Sequence, residues 1–195
     1  MPAPQPTLFY DLGSPYAYLA VERAAAVLGV EPLLKPVLVG GLFALRGHGS
    51  WSQTADRTGR MAEVEARAKR YGVGPLRWPP DWPNNTLKAM RAVVWAEQVS
   101  GEQRFCRTAF RAAFAEGQDL SKIEVLIEVA KSVGLPAGEL AEAIERAAIK
   151  DALKQATARA WEGGVVGVPS IGVGEKIFYG DDQLEFAAEK LITTA

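Results

Sequence analysis

The spacing of apolar positions divides the chain into three stretches with different periods. Residues 7–12 (TLFYDL) form a short apolar run closed by Gly13, and the Ala-rich segment 15–28 that follows carries apolar side chains at helical spacing. That pattern predicts a strand, a tight turn and a helix. Residues 31–39, rich in Leu and Val, predict a second strand, which a right-handed crossover sets parallel to the first. From about residue 51 to residue 161 the pattern is helical, in about six segments rich in Ala, Glu, Arg and Lys and separated by Gly- and Pro-containing breaks. Ser121 and Glu124 have capping-box spacing, and Asn85-Thr86 forms a cap before another apolar helical run. After Gly163-Gly164, two short apolar runs around Gly174-Glu175 predict a β-hairpin over 169–179. Gly180-Asp181-Asp182 then opens a last helix through Leu191.

The order βαβ, helical block, ββα describes an α/β domain split into two halves, 1–45 and 163–195, around an inserted all-helical domain at 46–162. A chain of 195 residues with 48% hydrophobic and 23% charged residues has the composition of a globular protein with a sizeable core. Lys and Arg number 22 against 23 Asp and Glu, a net charge of -1, so no global positive field draws nucleic acid or anionic lipid, and a small neutral or anionic ligand is expected. No segment approaches the roughly 20 apolar residues of a membrane span, and the Pro-rich start lacks a basic leader pattern, so a cytoplasmic location is expected. Cys106 is the only cysteine, which excludes an internal disulfide and a thiolate-rich metal site; no metal is expected. His48 is the only histidine, so a Ser-His-Asp triad would have to run through it.

Three short segments carry candidate chemistry, each with a local reading beside it. Ser14-Pro15 lies where the first strand becomes the first helix, where Ser is a preferred cap and Pro loses no hydrogen bond. The same hydroxyl, beside unpaired amides and the positive end of a helix, also stabilises an anion. Val168-Pro169 precedes the hairpin, either as an edge-strand proline or as a cis bond that leaves the Val168 backbone free for an extended ligand. Asp181 and Asp182 favour a helix start through the dipole, or receive an ammonium group. Trp78 and Trp82, in a Pro-rich loop, suit the wall of an aromatic pocket. The other tryptophans read as packing, and Glu63, Glu65, Arg67, Lys69 and Arg70 as a solvated helix face.

Segments 14–19 (SPYAYL), 36–42 (PVLVGGL), 82–86 (WPNNT), 163–169 (GGVVGVP) and 178–184 (FYGDDQL), taken in order, resemble the thioredoxin-like family of bacterial disulfide oxidoreductases and kappa-class glutathione transferases, and within it the 2-hydroxychromene-2-carboxylate isomerases. The redox branch uses two cysteines at the first turn, and Ser14 and Ala17 stand at the equivalent positions, so dithiol exchange is excluded. The resemblance instead implies glutathione as cofactor, with Ser14 hydrogen-bonding its sulfur. It also implies Val168 beside a cis Pro169 along the cysteinyl backbone, and Asp182, with Asp181 close by, at the γ-glutamyl ammonium. A helix N-terminus lowers a thiol pKa below its free value of about 8.5, so a thiolate is available near neutral pH. The implied reaction is reversible thiolate addition to a small aromatic substrate, with conjugation by a kappa-like transferase or thiol binding by a non-catalytic module as alternatives; homodimer formation is left open. Where the isomerases are expected to use a Gly-Asn pair and a Lys one turn earlier, this chain has His48 and Ala44, with Arg46 as the nearby cation on what reads as an irregular loop. His48 is accordingly either a substrate contact or a solvated loop residue.

Overall fold

The computed structural model describes residues 5–47 and 49–194. β1 (Thr7–Tyr10) alternates half-buried and buried side chains, placing Leu8 and Tyr10 on its fully buried face. Its neighbours are β2 (Leu33–Pro36), parallel, with Leu8 opposite Leu34, and β3 (Ser170–Val173), antiparallel, with Leu8 opposite Ile171. β4 (Lys176–Tyr179) adds antiparallel to β3, giving a four-stranded mixed sheet in the order β2-β1-β3-β4. The helix between the parallel strands, α1 (Pro15–Leu28), starts at the Ser14 cap and stops where Gly29 adopts φ 69. It packs on α9 (Leu184–Thr194), the last helix of the chain.

One expectation fails between residues 31 and 50. The second strand is limited to Leu33–Pro36, and Val39–Arg46 form a helix, α2, rather than a strand end and an irregular loop. Gly40 and Gly41 argue against a helix by propensity. Tertiary contacts override them: the Leu38 and Val39 amides donate to Thr157 Oγ1 (2.9 Å) and Asp11 Oδ2 (2.9 Å), and Leu42 is fully buried.

Among the described residues, six α-helices follow before β3: α3 (Arg57–Tyr71), α4 (Leu87–Gln98), α5 (Glu102–Phe114), α6 (Ile123–Ser132), α7 (Leu140–Ala143) and α8 (Ala147–Glu162). The Ser121–Glu124 capping box does not form. The Ser121 amide instead donates to Asp119 Oδ1 (2.9 Å), and α6 starts two residues later, at Ile123. α5 buries Phe105, Cys106, Ala109, Phe110 and Phe114 at helical spacing, and these meet the sheet and α1 through Tyr10–Phe110 and Tyr18–Phe114 ring contacts at 5.7 and 5.6 Å. α8 packs on β2 and α2. Burial pushes the Cys106 thiol well up, so it is a small core side chain rather than a nucleophile. Among the described residues no helix is long and apolar enough to cross a membrane, and no group of three potential ligands is placed to hold a metal ion.

Candidate active site

The turn after β1 is closed by one residue. The Asp11 carbonyl accepts the Ser14 amide (2.9 Å), and its carboxylate Oδ1 accepts the Gly13 amide (2.8 Å). Ser14 is thereby set at the N-cap of α1, where its Oγ accepts from the Ala17 amide (3.2 Å) and Pro15 follows at the first helical position. A hydroxyl used as a cap acceptor keeps its proton for donation. Ser14 is half-buried on the wall of a cavity of about 1040 Å³ that also reaches Arg46, Trp82, Val168, Pro169, Asp181 and Asp182. The structure thus brings together most of the site residues expected from the sequence.

Opposite Ser14, the Val168–Pro169 bond is cis. Among the described residues, no hydrogen bond of the chain engages the N–H or C=O of Val168, while the Pro169 carbonyl accepts the Gly180 amide (3.0 Å). The hairpin is tied in this way to the turn that carries the two acids. That turn needs glycine: Gly180 has φ 124, and a Cβ there would lie 2.6 Å from Asp182 Oδ1.

The two acids differ sharply in surroundings. They occupy a short 3₁₀ turn, Asp181–Gln183, ahead of α9. Asp181 is buried and accepts from Arg67 Nη1 (2.7 Å), whereas the Asp182 side chain is 52% exposed and 3.6 Å from the same nitrogen. Burial raises the Asp181 carboxyl above the usual range, and Arg67 opposes that shift. Asp181 is therefore committed to Arg67, and Asp182 is the carboxylate presented at the cavity rim.

Arg67 departs from the solvated helix face expected of it; only its i,i+4 partnership with Glu63 (2.6 Å) fits that reading. It also joins Asp181, and its guanidinium carbon lies 5.3 Å from the centre of the Tyr16 ring. Tyr16 and Arg67 both line the cavity. The i,i+4 charge pattern of α3 is visible in the sequence, but the turn that meets it lies more than a hundred residues away.

The remaining wall comes from α2 and the segment around Trp82. Arg46 ends α2, its Nη1 3.5 Å from the Val166 carbonyl. Trp82 lines the cavity with Trp51, their ring centres 5.2 Å apart, and Trp51 meets Tyr16 edge-on at 5.9 Å. Trp78 is a correction to the expected wall. It lies behind Trp82 at 4.8 Å, edge-on to Phe114, and its Nε1 donates to Glu65 Oε1 (2.7 Å), so packing and an outward hydrogen bond claim it. His48 lies outside the described residues. Trp51 reads as packing in the sequence, because nothing in the local pattern brings it from the start of the helical block to the first turn.

Comparison with known proteins agrees with this architecture. The chain is 26% identical over 193 residues to the 2-hydroxychromene-2-carboxylate isomerase of Sphingobium xenophagum, covering 94% of this chain and 96% of that one. It is 23% identical to human glutathione S-transferase kappa 1, covering 94% and 89% respectively. A solved structure of a 2-hydroxychromene-2-carboxylate isomerase superposes with a TM-score of 0.84 over 96% of this chain and 94% of that one, at 20% identity, a likeness of fold. The four-stranded sheet interrupted by helices falls within one family, whose model matches residues 7–192: the chain belongs to the DSBA-like thioredoxin domain family.

Proposed function

We propose that this protein is a glutathione-dependent isomerase of the 2-hydroxychromene-2-carboxylate type. The observation that carries the reading is the Ser14 hydroxyl at the N-terminus of α1, set in one cavity with the unpaired Val168 backbone and with no cysteine among the lining residues. Ser14, Val168 and Asp182 suit a γ-glutamyl-cysteinyl thiol: a hydroxyl proton beside the Tyr16 amide for the sulfur, an extended backbone for the cysteinyl unit and an exposed carboxylate for the ammonium. Asp181 supports Asp182 by holding Arg67. Bound there, glutathione supplies a thiolate that adds reversibly to an activated carbon, so that a double bond becomes a single bond about which the isomeric geometry is reached. The Ser14 hydroxyl, the Tyr16 amide and the positive end of α1 hold the sulfur's negative charge, Trp51 and Trp82 enclose an aromatic acceptor, and Arg46 offers a cation to its carboxylate. A cytoplasmic location, where glutathione is the reduced thiol pool, suits the reading.

A kappa-like transferase is the second reading. Ala44, exposed on α2, stands near the position where the isomerases are expected to carry Lys, which leaves the acceptor half less specified than the thiol half. The test is an absorbance assay of hydroxychromene-carboxylate isomerisation with and without glutathione, followed by chlorodinitrobenzene as the acceptor. Glutathione-dependent isomerisation is expected. Conjugation without isomerisation would replace the first reading by the second, and neither activity, with no glutathione binding, would overturn both.

A further inference from the structure

We propose that Asp11 is the positioning residue of this site, its buried carboxylate locking the Ser14 turn, the start of α2 and the start of α4 into one register so that the two halves of the cavity meet. The proposal rests on the functional reading above and assigns a role to a residue outside the thiol and acceptor contacts. Asp11 is 2% exposed and lines the cavity floor. Oδ1 accepts from the Gly13 amide (2.8 Å) and the Thr86 hydroxyl (3.0 Å), and Oδ2 accepts from the Val39 amide (2.9 Å). These donors come from three segments far apart in the chain. Gly13 immediately precedes Ser14; Val39 begins α2, which ends in Arg46; Thr86 follows the Trp82 segment and stands at the N-cap of α4.

Two features show that this junction is built for the carboxylate. Thr86 is a preferred capping residue, yet its side chain makes no cap bond to α4, and its hydroxyl donates to Asp11 Oδ1. The junction is also closed around Gly13, where a Cβ would lie 3.0 Å from Thr86 Oγ1 and 3.3 Å from Asp11 Oδ1. An ionised carboxylate is acceptor-only and suits three donors; an amide would turn its own N–H groups toward at least one of them.

Thr86→Val removes one donor while keeping the shape, and Thr86→Ser restores it. Three quantities are read in each protein: glutathione affinity by calorimetry, kcat and KM for the hydroxychromene acceptor, and hydrogen exchange at the Val39 amide, which bonds the other carboxylate oxygen. In Thr86→Val, acceptor kcat/KM is expected to fall about tenfold, the scale of a hydrogen bond to a charged group, with glutathione affinity within about twofold and faster exchange at Val39. Thr86→Ser is expected to recover all three. Asp11→Asn is expected to show a larger loss of the same kind, but Thr86→Val, which keeps the carboxylate, is the deciding variant. Unchanged kinetics and unchanged Val39 exchange would overturn the proposal. So would a loss of glutathione affinity equal to the loss of turnover, which would mean a local role at Ser14 alone. If the unaltered protein binds no glutathione, the functional reading fails, and Val39 exchange in the Thr86 variants still decides whether the carboxylate couples the three segments.

Discussion

The Ser14 hydroxyl faces two ways, its lone pair capping α1 through the Ala17 amide and its proton left for a sulfur. Ser14→Ala is expected to cost about 1 kcal/mol of stability, the usual loss for a removed cap, and to lower glutathione-dependent turnover about 100-fold, the scale of a lost oxyanion donor. Urea denaturation and initial rates measure both; near-normal turnover in a folded variant would remove Ser14 from the chemistry. The adjacent acids divide differently. Asp181→Asn is expected to lower stability by about 2 kcal/mol, because it removes the buried carboxylate that pairs with the half-buried Arg67. Asp182→Asn is expected to leave stability within about 0.5 kcal/mol and to weaken glutathione binding by about 1 kcal/mol. Denaturation and calorimetry on the two variants separate these effects, and identical behaviour would mean that the acids are interchangeable. The local sequence marks the dipeptide, and the resemblance points to Asp182 ahead of Asp181; the physical reason for the difference is the 3₁₀ turn, which sends one side chain inward to Arg67 and the other to the rim.

At the scale of elements, strong period and punctuation are legible while tertiary overrides are not. β1, α1 and the final hairpin follow from their apolar spacing and glycine breaks. α2 does not, because its start is held by Asp11 and Thr157 rather than by its own residues. The Asn85-Thr86 start is likewise half legible: Asn85 Oδ1 accepts the Leu87 amide (3.0 Å) as a local cap would, while the Thr86 hydroxyl leaves for Asp11. α5 carries a titration within the physiological range. Burial, then the neighbouring Glu97, push the Glu102 carboxyl up to about 7, against an opposing pull from Lys35. Its Oε1 is buried without a hydrogen-bond partner. A carboxyl whose folded pKa exceeds its unfolded value favours folding while protonated, so this contribution is full below about pH 4.5 and is lost as pH rises through about 7. The group is partly exposed and screened, so the loss is about 1 kcal/mol rather than the full value of the shift. Urea midpoints between pH 5 and 8 are expected to fall less steeply in Glu102→Gln than in the unaltered protein; parallel slopes would contradict the assignment.

Over the whole molecule, the sheet and the helical block share one continuous hydrophobic core, from Leu8, Tyr10 and Ile171 through Phe110 and Phe114 to Trp95 and Leu140. Far-UV circular dichroism and tryptophan fluorescence are therefore expected to report one coincident unfolding transition, with Phe110→Ala lowering stability by about 3–5 kcal/mol on both probes. Separate transitions would mean that the helical block folds by itself. The fold class is legible because the change of hydrophobic period from strand to helix and back survives along the full chain. The cavity is only half legible. Ser14, Val168-Pro169 and Asp182 belong to local motifs, and Asp11 and Tyr16 flank the Ser14 turn, whereas Trp51 and Arg67 become site residues only when distant segments converge.

On the proposed reading, Ser14 and the Tyr16 amide at the start of α1 hold a glutathione sulfur as thiolate. Thiolate ultraviolet absorbance of protein-bound glutathione, titrated against pH in the unaltered protein and in Ser14→Ala, tests it most directly. A bound thiol pKa clearly below the free value of about 8.5 is expected, returning toward that value in Ser14→Ala while glutathione remains bound. The same pKa in both proteins, or a bound thiol that titrates as it does free in solution, would contradict it.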